Sequence, residues 1–284
     1  MVQVTADLLR QWALPAPGGD GDKHDRGTVV VLGGTTETPG AVLLAGLAAL
    51  RAGAGRLQIV TVEPTSAALG VTVPEALVVG LAADSDGGID PAALAAVDTR
   101  LATADALVLG PGLSRGSAPE LIDRALRFRK GAPVVVDAGA LAGLAALGRS
   151  RDLLGAAAVL TPNSGELAAL LDTEDAVEDE TTAAAVAERY GAVVVIRGWV
   201  VAPDGSRWHN AAGNPGLGTS GSGDVLAGLV AGLLARGATP AQAGVWGQHL
   251  HATAGDRLAE RIGGLTFLAR ELLDEVPAVI RDQR

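Results

Sequence analysis

Short runs of valine, isoleucine and leucine recur along the chain, at Thr28–Leu32, Arg56–Val62, Ala106–Leu109, Pro133–Val136, Ala157–Leu160 and Val193–Ile196. Most are apolar at consecutive positions, as in strands covered on both faces, and alanine-rich stretches of helical character separate them. Repeated βα units of this kind predict an α/β fold with a mostly parallel central sheet and helices on both faces. Past Ile196 the pattern changes. Trp199–Ala202 and Arg207–His209 flank Pro203-Asp204-Gly205-Ser206, and the Asp-Gly step favours a hairpin because glycine accepts positive φ. An antiparallel edge is expected there. From about Ser222 the chain reads as helical to its end, through Val225–Arg236, Pro240–Arg257 and Leu268–Ile280. No long linker, charge block or fixed-period repeat divides the sequence, so one domain is expected over residues 1–284, with residues 1–26 as a lead-in.

Composition narrows what such a domain can bind. The chain has 284 residues, 48% of them hydrophobic, which is ample for one large core. Cysteine is absent, so disulfides and thiolate metal sites are excluded. The first 27 residues carry acidic groups and prolines and no sustained apolar stretch, unlike a signal peptide. Longer apolar stretches such as Val225–Ala235 end well short of a membrane span. A cytoplasmic location is therefore expected, with no membrane partner. Formal net charge is -10 and the only lysines are Lys23 and Lys130, so nucleic acid is an unsuitable partner. A bound polyanion would have to be met by backbone N–H groups, helix N-termini, arginine or a metal ion.

That requirement points to Asn214-Pro-Gly-Leu-Gly-Thr-Ser-Gly-Ser-Gly-Asp224, which runs straight into the helical stretch Val225–Arg236. Four glycines before a helix let the backbone approach an anion and turn its N–H groups toward it, and the helix N-terminus adds partial positive charge. Asp224, at the same spot, is suited to accept a proton from an attacking hydroxyl. The competing reading is that Ser222 or Asp224 simply caps the helix. No Gly-Lys-Ser/Thr occurs, so this is not a Walker A loop, nor does it have the strand context of a dinucleotide fingerprint.

Other glycine-bearing turns follow the predicted strands: Val31-Leu32-Gly33-Gly34 with Pro39-Gly40-Ala41, Gly110-Pro111-Gly112-Leu113, Val136-Asp137-Ala138-Gly139, and Leu160-Thr161-Pro162-Asn163-Ser164-Gly165-Glu166. All emerge at strand C-termini, where open α/β sheets bind ligands. Asp137 and Glu166 are the acidic residues at these ends; either could order magnesium through water, or serve as helix-start charges. His249 and His251 lie two apart on a predicted helix and face different ways, which fits structural roles better than a metal pair. Trp199 and Trp208 could stack on a nucleobase, but hairpin tryptophans more often pair across strands.

Taken in order, together with Ala254-Gly255-Asp256, these segments resemble the ADP/ATP-dependent NAD(P)H-hydrate dehydratases of the ribokinase-like superfamily, over about residues 23 to 280. The resemblance implies a ribokinase-like fold and repair of hydrated nicotinamide nucleotides, NADHX and NADPHX, with ADP or ATP as phosphoryl donor and Mg²⁺ as cofactor. It implies Asp224 as base, with the backbone of Gly221, Ser222 and Gly223 on the transferring phosphoryl group. Ala41, Gly112 and Asn163 would line the hydrated-nicotinamide side, and Arg197, Gly198, Trp199, Val200 and Val201 the adenine nucleotide. A homo-oligomer, often a tetramer, is implied as well. Three positions depart from the family: Asn163 stands where histidine is usual, Arg197 near a usual lysine, and Thr38 where an aromatic residue precedes Pro-Gly-Ala. Asn163-Ser164-Gly165-Glu166 also matches the Asn-x-x-Glu pattern of small-molecule kinases with the same fold, such as thiazole and hydroxymethylpyrimidine kinases, which form the alternative reading.

Overall fold

The computed structural model describes residues 1–16, 23–114, 119–148 and 150–283. Part of the expected lead-in, residues 17–22, therefore lies outside the described residues. Among the described residues, ten strands form one sheet: β1 (Val2–Gln3), β2 (Thr28–Leu32), β3 (Arg56–Val62), β4 (Ala76–Leu81), β5 (Ala106–Leu109), β6 (Val134–Val136), β7 (Ala158–Leu160), β8 (Val193–Ile196), β9 (Trp199–Val201) and β10 (Arg207–His209). Their order is β1-β10-β9-β8-β7-β6-β5-β2-β3-β4. Strands β2 to β8 are mutually parallel, and β9 runs antiparallel to both of its neighbours, so the hairpin read from Asp204-Gly205 is present.

Two strands that the hydrophobic pattern does not single out complete the sheet. One is β4, at one edge. The other is β1, which pairs parallel to β10 and takes the outer place at the edge expected of the hairpin. A two-residue strand carries no alternation to read. The beginning of the lead-in is thus built into the fold: Val4 N–H donates to the His209 carbonyl at 2.8 Å, and Trp12 stacks on Trp208 with ring centroids 5.5 Å apart.

Side chains of β2 are buried along its whole length and alternate between two cores. Val29 and Val31 join the layer that holds the helices Pro39–Arg51, Ser222–Ala235, Pro240–Ile262 and Ala269–Asp282, while Val30 and Leu32 join the layer of Pro119–Phe128, Gly139–Ala145 and Glu180–Tyr190. The chain moves outward from β2 to β3 and β4, then crosses back to β5 and proceeds the other way through β6, β7 and β8. The direction of travel reverses between β2 and β5, and the crevice at the C-terminal ends of two such strands is where an open sheet leaves room for a ligand.

In the first of these layers two helices meet backbone to backbone. A Cβ placed on Gly228 would lie 2.1 Å from the Ala45 carbonyl oxygen, and one on Gly232 would lie 2.4 Å from that of Ala49. Glycine weakens a helix interior, so its presence twice on this face reflects the closeness of Pro39–Arg51 to Ser222–Ala235. Gly228→Ala should therefore destabilise the protein by about 1–3 kcal/mol, the cost of overpacking a filled core, although at an open helical site it would stabilise. Urea denaturation decides the sign: an unchanged or higher midpoint contradicts the close contact.

Candidate active site

The two turns at the reversal point are tied to each other. Gly34 N–H donates to the Pro111 carbonyl at 2.8 Å, Gly110 N–H to the Leu32 carbonyl at 3.1 Å, and the Thr38 hydroxyl to the Gly112 carbonyl at 2.7 Å. Gly112 has φ 69, and a Cβ there would meet the Thr38 carbonyl oxygen at 2.5 Å and Ala41 Cβ at 3.0 Å. Glycine is required on both counts, and the close approach sets Ala41 and Gly112 side by side, although 71 positions separate them in sequence.

Three carboxylates from separate elements converge beyond these turns. Asp137 follows β6 and is 5% exposed; burial, reinforced by the negative charges of Asp224 and Glu166, pushes its carboxyl up to about 8, against a hydrogen bond from the Thr161 hydroxyl at 2.8 Å. Its neighbour Ala138 holds φ 47, a strained conformation for a residue with a Cβ, at the point where the strand turns into the helix Gly139–Ala145. Asp224 lies in the first turn of Ser222–Ala235, and burial followed by the charge of Glu166 pushes it up to about 6. Glu166 opens the helix Ser164–Leu171 and closes a capping box: its side chain accepts from Asn163 N–H at 2.9 Å, and the Asn163 side chain accepts from Glu166 N–H at 3.0 Å. The helix-start reading of Glu166 is thus present, and its charge also acts on both aspartates.

Gly221, with φ 88, caps the helix in the left-handed region, and its own Cβ would strike Leu44 on Pro39–Arg51 at 2.5 Å. Gly223 differs: a Cβ there meets nothing within 4 Å. Nothing inside the protein calls for glycine at that place, and the open space beside it adjoins the first-turn N–H groups, where an anion is favoured.

Residues to which the sequence assigned no part in the site hold this loop in place. On the helix Pro240–Ile262, Gln248 accepts from the Asn210 amide at 2.6 Å, and Asp256 accepts from Gly213 N–H at 2.8 Å and from the Asn214 amide at 2.9 Å. Asn214 in turn accepts from Gly216 N–H at 2.9 Å. His251 Nε2 lies 2.8 Å from the Ser222 hydroxyl oxygen and 3.0 Å from the Ser222 carbonyl oxygen, and burial pushes its pKa down to about 4. Positions 248, 251 and 256 fall near one face of a helix. Their partners lie far off in sequence.

The remaining candidates divide. Arg197 and Gly198 make the turn at the C-terminal end of β8, and Trp199 begins β9 there. Val200 and Val201 continue into the core, 2% and 1% exposed, with their backbones in the β8–β9–β10 ladder. Trp199 lies against His209, its cross-strand partner, with ring centroids 4.5 Å apart. His249 is turned away from the loop: its ring lies edge-on to Trp246, neither nitrogen has a hydrogen-bond partner among the described residues, and burial pushes it down to about 4.

A crevice at a strand-order reversal, closed by a glycine loop that opens a helix, defines a ribokinase-like protein. Its backbone superposes on a ribokinase-like superfamily protein from Enterococcus faecalis with a TM-score of 0.82, covering 100% of this chain and 96% of that one at 23% identity, a likeness of fold. The sequence is more specific. The model of a family described as NAD(P)H-hydrate dehydratase matches residues 29–278, and the chain belongs to that family. An ADP-dependent (S)-NAD(P)H-hydrate dehydratase from Xanthomonas campestris is 46% identical over 284 residues, which include 98% of this chain and 95% of that protein. The ADP/ATP-dependent NAD(P)H-hydrate dehydratase of Bacillus subtilis, co-crystallized with ATP/Mg²⁺ and soaked with CoA, superposes with a TM-score of 0.80 at 28% identity, covering 99% of this chain and 98% of that one. A bifunctional NAD(P)H-hydrate repair enzyme from Moorella thermoacetica also matches, and the chain spans about half of it, 52%.

Burial of Asp137 makes a test of the acid cluster. Its folded pKa lies above the ordinary 3.8, at about 8, so between these values the folded protein holds a proton that the unfolded chain has released, and stability falls as pH rises through that window. Asp137→Asn removes this loss while keeping an oxygen for Thr161. In metal-free buffer the variant should gain at least about 2–4 °C in Tm over the parent on moving from pH 5 to pH 9, the equivalent of about 1 kcal/mol in a chain of this size. Parallel Tm curves for the two proteins would count against a buried, proton-holding Asp137.

Proposed function

We propose that this chain converts (S)-NAD(P)H hydrate to NAD(P)H, using ADP or ATP to phosphorylate the C6 hydroxyl before eliminating phosphate. The observation that carries the reading is the junction of Gly221-Ser222-Gly223, open toward solvent at Gly223, with a carboxylate, Asp224, raised to about 6. Family membership supplies the substrate class. The alternative of a thiazole or hydroxymethylpyrimidine kinase shares the fold but not these relatives.

The geometry supports a division of labour. The donor's terminal phosphate would sit at the start of Ser222–Ala235, against the N–H groups of Gly221, Ser222 and Gly223. Its adenine end would lie along the rim at Arg197, Gly198 and Trp199. The hydrated ring would rest on Ala41 and Gly112, flanked by Asn163. Asp224 would take the proton from the C6 hydroxyl as its oxygen bonds to the terminal phosphorus and AMP or ADP departs. Loss of the C5 proton and of phosphate from C6 then restores the ring double bond.

Magnesium fits the residues present. Glu166 raises the pKa of Asp137 and of Asp224 by like charge, and Asp224 raises that of Asp137; a divalent cation relieves such repulsion, and hard carboxylate oxygens are the donors it takes. Among the described residues, no three acidic or histidine side chains form a direct chelating group, so Asp137 and Glu166 would hold the ion through water. Its positive charge would offset that of the phosphate oxygens.

No helix among the described residues is long and apolar enough to cross a membrane. The proposed reaction belongs to the cytoplasmic nicotinamide pool, and the family resemblance supports a homo-oligomer, with the tetramer checked by light scattering. Recovery of dihydronicotinamide absorbance from NADHX or NADPHX, with ADP and ATP supplied separately, tests the reading. No recovery with either nucleotide, together with phosphorylation of a thiazole or pyrimidine alcohol, would transfer the chain to the kinase reading.

Asp224→Asn should fold and bind nucleotide while losing about 10²–10⁴-fold in turnover, the usual contribution of a positioned general base. In the parent, kcat/KM should climb with pH through about 6 as Asp224 loses its proton, and this limb should be missing from the variant. Near-parental turnover reduces Asp224 to a helix-start charge.

Glu166→Gln should raise the Mg²⁺ concentration for half-maximal rate by about 10–100-fold, the range for outer-shell metal groups, with little effect on hydrate binding. Magnesium activation curves that coincide, once corrected for folded enzyme, would leave Glu166 with the capping box alone.

A further inference from the structure

His251 contacts two atoms of one residue: its Nε2 is 2.8 Å from the Ser222 hydroxyl oxygen and 3.0 Å from the Ser222 carbonyl oxygen. A carbonyl oxygen can only accept, so Nε2 must carry the proton; the other tautomer would set a ring lone pair against the carbonyl. Sharing that N–H, the Ser222 oxygen is an acceptor as well, and its own hydrogen must be spent elsewhere. Ser222 is 3% exposed and is the first residue of the helix whose N-terminus faces the open space at Gly223. The ring stays neutral, because burial pushes it down to about 4, so the contact holds across the working pH range.

We propose that His251 is a positioning residue for phosphoryl transfer: its Nε2–H pins the Ser222 carbonyl and hydroxyl oxygens, leaving the hydroxyl hydrogen to donate to an anionic oxygen of the bound nucleotide's terminal phosphate. The proposal rests on the nucleotide site proposed above and adds a side-chain donor to its backbone N–H groups. The supporting helix is anchored independently, since Gln248 and Asp256 on the same helix hold Asn210, Gly213 and Asn214. Loss of His251 should therefore free Ser222 without releasing the rest of the loop.

A double-mutant cycle with His251→Leu and Ser222→Ala tests it, read in two ways: affinity for ATP with Mg²⁺ by calorimetry, and kcat and KM on the hydrate. Each single variant should lower kcat by about 10–100-fold, as outer-shell partners do, and weaken nucleotide binding, with KM for the hydrate nearly unchanged. The double variant should be no worse than the poorer single one, because both act through the same donor, the Ser222 hydroxyl. Losses that multiply in the double variant overturn the proposal. The nitrogen-15 spectrum of the parent's histidine ring, which needs no variant to fold, should show the Nε2–H tautomer, and an Nδ1–H ring would overturn the proposal as well. If the parent binds nucleotide but turns over no hydrate, the dehydratase reading fails alone, and the cycle in nucleotide affinity still decides the role of His251.

Discussion

The helices Pro39–Arg51 and Ser222–Ala235 touch through their backbones, with Gly228 and Gly232 leaving no room for a Cβ beside the Ala45 and Ala49 carbonyls. One helix follows β2 at the strand reversal and carries Ala41; the other begins at the glycine loop and carries Asp224. Their closeness therefore fixes how Ala41 and Asp224 sit relative to each other. Larger residues along the seam would spread the helices and carry Ala41, on the proposed hydrated-ring side, away from the proposed phosphate site, and phosphoryl transfer tolerates little misplacement. Leu44, pressed against Gly221, extends the same contact to the loop itself.

A second constraint is electrostatic. A protein of formal net charge -10 gathers three carboxylates where a polyanionic nucleotide is proposed to bind, an unfavourable arrangement without a ligand. Burial resolves part of it by keeping Asp137 protonated over much of the neutral range. The rest falls to groups with no formal charge, the N–H groups at the start of Ser222–Ala235, and to the cation proposed between acids and phosphates. Shared charge also couples the members, so substituting Glu166 alters the proton affinity of both aspartates.

Much of this was legible in the chain. Runs such as Thr28–Leu32 and Val193–Ile196 mark strands because a sheet covered on both faces must be apolar at successive positions, and Asp204-Gly205 marks the hairpin through its turn chemistry. Asp224 and the glycines before it are contiguous, so their chemistry can be read locally. Less visible were β1, too short to show a period, and the loop's supports Gln248 and His251, polar residues whose partners lie more than 25 positions away.

By itself, then, the sequence determined the βα succession, the glycine loop with its carboxylate and membership of a nucleotide-using family, because each depends on residues adjacent in the chain or recurring at a short period. Tertiary structure alone decided that Ala41 adjoins Gly112, that Asp137 and Asp224 hold their protons more tightly than exposed aspartates, that Val200 and Val201 face the core, and that His251 grips Ser222. Those outcomes follow from how close distant segments come and how much water remains between them. Neither quantity is written in any local stretch of residues.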